Sequence, residues 1–142
     1  MRNFFKGKTH TALLVIRIII GVIFFAHGIA KFNMGMDATA GFFEAVGIPA
    51  AGLMAWVVTL IETFGGIALI VGIATELTAG LLMLIMLGAI ITVKASVGFI
   101  GGYELDLALF AALIPLLVHG PGKYSVEHLI KMMKPLPPQA TY

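Results

Sequence analysis

The sequence predicts an all-α fold: an antiparallel, integral membrane four-helix bundle with a short interfacial helix near its C-terminus. Three observations predict it. First, 60% of the 142 residues are hydrophobic and only 11% are charged, against about 25% charged in a soluble domain. Second, four continuous apolar runs each approach the length that crosses a bilayer. Third, basic residues collect at the two ends of the chain and acidic residues in the first long loop, the asymmetry that membrane topology imposes. A β-barrel is excluded, because its strands would alternate apolar and polar residues.

The first span covers about residues 11–30. Arg2, Lys6 and Lys8 precede it, as in a signal peptide. The run is longer than a usual signal core and lacks a small-x-small cleavage site, so an uncleaved first span is expected. The second covers about 53–73 and the third about 77–94. The turn between these two, around Ala74–Glu76, is so short that they must form an antiparallel hairpin. The fourth covers about 103–118, with Glu104 and Asp106 at its start and Pro115 near its end. Proline is tolerated there because neighbouring helices re-satisfy the freed carbonyl.

An even number of spans places both termini on one side. Lys123, Lys131 and Lys134 follow the last span, so both ends are expected in the cytoplasm. The loop 32–52 carries Asp37 and Glu44 and no Lys or Arg, so it is expected outside. Beyond Gly120-Pro121-Gly122, Ser125 can cap a short helix with Glu127 in its first turn. Val126, Leu129, Ile130 and Met133 fall on one face of it, beside Lys131 and Lys134, as in a helix lying on a membrane surface. The proline-rich tail 135–142 is expected to be disordered.

The sequence pI near 9.1 does not point to nucleic acid, because no basic stripe with interleaved aromatics exists. The absence of cysteine removes disulfides, thiol redox chemistry and Cys-based metal sites.

Function is expected where charge meets lipid. Glu62 lies at the centre of an uncharged apolar run. A carboxylate there costs at least ~2.5–3.5 kcal/mol on insertion scales, so it must face protein, find a partner or stay protonated. Arg17, Gly21, Phe24, Gly28 and Lys31 form one stripe of the first span, with His27 at its edge. The small residues mark that stripe as a protein contact. Arg17, roughly 9 Å into its span, is expected to pair with Glu62, either to fix helix register, to bind a ligand or to handle protons. Gly65 and Gly66 thin the helix beside Glu62 and could make space for a ligand or another helix.

A second cluster is expected at the outer end: His27, Lys31, Lys94, Glu104 and Asp106. Either the lysines snorkel to headgroups and the acids mark the water boundary, or the five line a polar pocket in which His27 exchanges protons. No HxxxH or ExxH spacing supports a metal site. His119 reads as a helix C-terminal cap.

Taken in order, these residues carry a family pattern. Arg17-x3-Gly21-x2-Phe24-x2-His27-Gly28-x2-Lys31-Phe32 is followed by Phe43-x3-Gly47-x-Pro49. Then come Glu62-x2-Gly65-Gly66-x2-Leu69-x2-Gly72-x2-Thr75 and Gly120-Pro121-Gly122-Lys123-Tyr124-Ser125. The chain resembles the DoxX family of small bacterial inner-membrane proteins over essentially its whole length, so residues 1–134 are expected to form a single DoxX-like membrane domain. The resemblance implies a link to quinone and thiosulfate redox chemistry, oxidative stress and the detoxification of catechols or quinones. Some wider relatives use cysteines; that chemistry does not carry over. Arg17, His27, Lys31 and Glu62 are the positions that do.

The resulting expectation is a redox-associated membrane subunit, not a stand-alone enzyme, that binds a quinone-like ligand between its helices. The ligand contacts would come from Arg17, His27, Lys31, Glu62, Lys94, Glu104 and Asp106, with Glu62 and His27 as candidate proton-transfer groups. A homo-oligomer or a partner redox enzyme is expected beside the lipid bilayer. The competing expectations are a scaffold that docks a partner enzyme and a small proton-coupled transporter.

Overall fold

The computed structural model describes residues 6–134, with side chains from residue 8. The expected tail 135–142 lies outside the described residues. The described chain forms six α-helices: α1 Lys6–Met34, α2 Met36–Ala45, α3 Ala51–Val71, α4 Thr75–Ala89, α5 Glu104–His119 and α6 Val126–Met133. A π-helical turn, Ile90–Lys94, extends α4, and a kinked segment, Phe99–Tyr103, non-helical at Ile100, Gly101 and Gly102, leads into α5. Four segments are long and apolar enough to cross a membrane: Lys8–Met34, Ala51–Val71, Thr75–Lys94 and Phe99–His119.

The four long helices form a ring in which α1 packs closely along α3, and α4 along α5. The seams between α3 and α4 and between α1 and α5 are looser. The core within the ring includes Ile20, Phe24, Leu69, Leu82, Leu113 and Leu116. Outward-facing residues such as Val15, Ile19, Phe64 and Leu84 are exposed apolar side chains, as expected where the surrounding medium is lipid.

Glycine sets the register of α1 on α3. A Cβ at Gly28 would stand 2.8 Å from the backbone nitrogen of Thr63. One at Gly66 would stand 2.5 Å from the Phe25 nitrogen, and one at Gly21 2.7 Å from the Gly66 oxygen. Neither helix can slide without driving backbone into backbone. Small residues allow this approach between spans, where packing rather than water expulsion drives association.

The α3–α4 hairpin turns at Gly72, whose φ of 80° lies in the left-handed region that glycine adopts at low cost. The Gly72 and Ile73 N–H groups donate to Ala68 O at 2.8 and 3.0 Å, closing the helix end. This hairpin agrees with the sequence expectation, but α2 does not follow from it. Residues 32–52 read as a loop, whereas Met36–Ala45 is a helix that buries Thr39 and Phe43. At ten residues it is too short to register as a span.

The expected C-terminal helix forms. The Ser125 hydroxyl accepts from His128 N–H at 3.1 Å, and Glu127 N–H donates to Gly72 O at 3.0 Å. Lys131, one turn on, approaches the Glu127 carboxylate at 2.9 Å. That contact holds the carboxyl below its ordinary range, with smaller help from the Thr75 and Ala74 backbone N–H groups against partial burial.

The expected Arg17–Glu62 pair does not form. Arg17 is 1% exposed and donates to Pro121 O and Tyr124 O, both at 2.6 Å. Its guanidinium also packs against Gly72, where a Cβ would stand 2.5 Å from Nη1. The reason is register. Gly28 meets Thr63, so Glu62 faces the far end of α1, about 18 Å along the axis from Arg17 at 1.5 Å per residue. Depth estimated from the centre of each apolar run misses this offset, because α1 continues to Met34.

Arg17 therefore clasps the loop before α6 to the α3–α4 turn. Arg17→Ala leaves two carbonyls without their donors, at roughly 1–3 kcal/mol for each buried unsatisfied group. The expected outcome is a lower melting temperature in detergent and faster proteolysis at Lys123, read by limited trypsin digestion. Unchanged digestion would remove the clasp.

Candidate functional site

The site lies at the end of the bundle that carries α2. Glu62 on α3 is 4% exposed, and its Oε2 accepts from Lys31 Nζ of α1 at 2.5 Å. On the opposite pair of helices, Lys94 Nζ donates to Asp106 Oδ2 at 2.6 Å. Asp106 is 5% exposed. Lys94 ends a π-helical turn, a widened geometry that often marks functional positions in helices.

Both pairs line one cavity of about 460 Å³, within the roughly 300–1,000 Å³ of small-molecule sites. His27 lines it too, and its Nδ1 lies 2.9 Å from Ile23 O. The remaining wall is apolar: Phe24 of α1, Phe43 of α2, Val58 of α3, Met86 of α4 and Leu109 of α5 are among its residues. Ile48 and Pro49, between α2 and α3, line it as well.

Five of the seven expected residues thus meet: His27, Lys31, Glu62, Lys94 and Asp106. Arg17 is not among them. Glu104 is not either; it is exposed, and its Oε1 accepts from Gly101 N–H at 3.0 Å. That bond steadies the turn into α5, whose backbone reverses at Gly98 and Gly101 with φ of 101° and 73°. The expected split between a Glu62 site and an outer cluster also disappears, since Glu62 belongs to the outer cluster. The apolar walls escaped the sequence reading. Phe43 and Pro49 belong to the family pattern, and the spacing of Thr39 and Phe43 in a helix marks their buried face. Among the described residues, no three His, Asp or Glu side chains gather to hold a metal ion.

The chemistry available follows from the groups. An ammonium offers three donors and a carboxylate only acceptors. Each ion pair satisfies its own charges in a low-dielectric surrounding, where an isolated charge would be costly. A ligand oxygen brought between the pairs finds donors from Lys31 and Lys94, and proton acceptors in Glu62 and Asp106.

Comparison with known proteins agrees with this architecture. The DoxX family model matches residues 12–95. The chain belongs to the DoxX family. It is 42% identical over 107 residues to a Bacillus subtilis protein named "Putative oxidoreductase CatD", covering 75% of this chain and 78% of the relative. It is 33% identical over 129 residues to the uncharacterized membrane protein Rv3486 of Mycobacterium tuberculosis, covering 82% and 79%. It is 30% identical over 134 residues to the Escherichia coli inner membrane protein YqjF, covering 88% and 96%. No solved structure matches the chain significantly.

The Lys31–Glu62 pair makes a stability prediction. Lys31→Met leaves Glu62 buried without its partner, a change that costs about 3–5 kcal/mol when a buried pair is broken. Lys31→Met combined with Glu62→Leu removes both charges and is expected to recover most of the lost melting temperature. Thermal unfolding of the three proteins in one detergent checks this, and equal losses in the single and double variants would refute the pairing.

Proposed function

We propose that this DoxX protein binds a quinone-like apolar carbonyl compound in the cavity at the α2 end and serves a redox reaction there. The carrying observation is the pair of lysine–carboxylate contacts facing one otherwise apolar space. Lys31 and Lys94 donate to the ligand oxygens, and the aromatic and aliphatic walls hold its ring. Each electron taken up by a quinone is matched by a proton at an oxygen. Glu62, Asp106 and His27 are the groups placed to hold or pass that proton. The chain has no cysteine, so the electrons come from a partner redox enzyme or a diffusible reductant.

The name of the Bacillus subtilis relative supports an oxidoreductase context, though fold and family are weaker warrants for function than the site itself. The Escherichia coli relative supports the bacterial inner membrane as the location. Lys123, Lys131 and Lys134 at one end of the bundle, with Asp37 and Glu44 at the other, support a cytoplasmic location for both termini. The site then faces the outer half of the bilayer.

The test is solvent extraction of protein purified from native membranes in mild detergent, with mass spectrometry for bound quinones. Wild type is expected to carry quinone enriched over bulk lipid. Glu62→Gln, which keeps the shape and removes the charge that holds Lys31 in place, is expected to be depleted by about tenfold, as weakening of the Lys31–ligand contact by roughly 1.5 kcal/mol implies. Equal quinone content in the wild type, the variant and bulk lipid would refute the reading.

A further inference from the structure

The cavity is not sealed from the lipid. The seam between α3 and α4 is one of the two looser seams of the ring. Leu84, Gly88 and Thr92 line the cavity from α4 and are at the same time exposed. Leu84 is 67% exposed. A Cβ added at Gly88 would meet nothing within 4 Å, so no side chain fills the opening at that level. Across the seam stands Val58 of α3, a half-buried residue of the same cavity. Every group at this fork except the Thr92 hydroxyl is apolar, and that hydroxyl is turned to Gly88 O at 2.8 Å.

A second feature continues along the same seam. About one helical turn closer to the hairpin, a groove of about 230 Å³ runs on the outer surface between the helices. Ile61, Phe64, Gly65 and Ala68 form its α3 side; Thr78 and Leu81 form its α4 side. Gly65 makes the floor, where a Cβ would stand 3.3 Å from Thr78 Cγ2. From Ile61 to Ala68 the groove spans roughly 10 Å of helix. No charged group lines the groove; those of the cavity are Lys31, Glu62, Lys94 and Asp106.

We infer that the α3–α4 seam is a lateral portal and tail track: the ligand enters from the bilayer, and its hydrocarbon chain leaves through the fork at Gly88 and lies in the groove over Gly65. This rests on the reading of the cavity as a quinone-like site, and it narrows the ligand to a lipid-borne amphiphile with a carbonyl-bearing ring and an alkyl or prenyl chain. A hydrated solute finds at the fork only the Thr92 hydroxyl, already engaged with Gly88 O, to replace its water. A chain already dissolved in lipid loses nothing on passing between apolar helix faces, since lipid and such side chains are comparably apolar.

The experiment uses the full-length protein in nanodiscs and two probes: a benzoquinone with a diprenyl chain and the same ring without a chain. Binding of each is measured for wild type, Gly88→Phe, which fills the fork, and Ala68→Phe, which fills the groove away from the charged groups. Both positions face open space or lipid, and melting temperature verifies folding. The expected result is a loss of about tenfold for the chain-bearing probe in both variants, the scale on which a hydrophobic pocket discriminates shape, with the chainless ring bound by Ala68→Phe as by wild type. Chain-bearing binding unchanged in both variants, or both probes weakened alike by Ala68→Phe, overturns the portal and track while leaving the charged site standing. Neither probe binding to wild type overturns the quinone reading and this inference with it. If Gly88→Phe does not fold, Ala68→Phe alone decides, because its side chain stands outside the core.

Discussion

A carboxylate inside an apolar bundle must be paired, and the contact between Lys31 and Glu62 satisfies that requirement across two helices. The geometry around it is arranged to make the contact possible. Gly21, Gly28 and Gly66 bring α1 and α3 backbone to backbone. That closeness fixes which turn of α1 faces Glu62, and the turn carries Lys31. A larger residue at Gly28 would separate the helices and strand the carboxylate in a medium without donors. The ion pair therefore depends on the helix contact, and the close approach of the two backbones is what lets it form.

The two ends of the bundle use their buried cations differently. Arg17 spends its fork of donors on backbone carbonyls, which ties the last loop to the α3–α4 turn. A planar guanidinium suits this, because its N–H groups diverge in fixed directions toward separate acceptors. Lys31 and Lys94 each present a compact ammonium with a single carboxylate partner. With three donors each, both retain capacity for a further acceptor. The arginine end uses its cation to tie structure together; the lysine end keeps donors in reserve beside an open space.

Much of this was legible in the sequence, and the limits are physical. Apolar run length revealed four spans because the bilayer demands it. The cost of charge in hydrocarbon singled out Glu62, and the ordering of the spans brought His27, Lys31, Lys94 and Asp106 to one end. The partner of Glu62 was not legible. Hydropathy locates a residue along its own helix only approximately, and the offset between α1 and α3 is set by glycine contacts that a single sequence does not display. Glu104 shows the converse: an acid beside Asp106 in sequence turns to a backbone N–H instead, because the turn at Gly101 leaves that donor free. The helix α2 and the apolar walls were hidden because a ten-residue helix in a loop resembles no span.

Charge balance then bears on what the cavity can accept. Lys31 with Glu62 and Lys94 with Asp106 are two neutral pairs, so the four groups sum to zero. An anionic ligand would bring a buried charge with no spare cation to balance it, unless it drew a lysine from its carboxylate and left that carboxylate unpaired. A cationic ligand would do the same to a lysine. Either exchange carries the desolvation cost that makes broken buried pairs so unfavourable. A neutral molecule with polar oxygens at a flat apolar body requires no such exchange. It accepts from the spare ammonium donors while both pairs remain closed. A quinone-like ring meets that condition, and proton arrival, not ligand binding, becomes the event that disturbs the pairs.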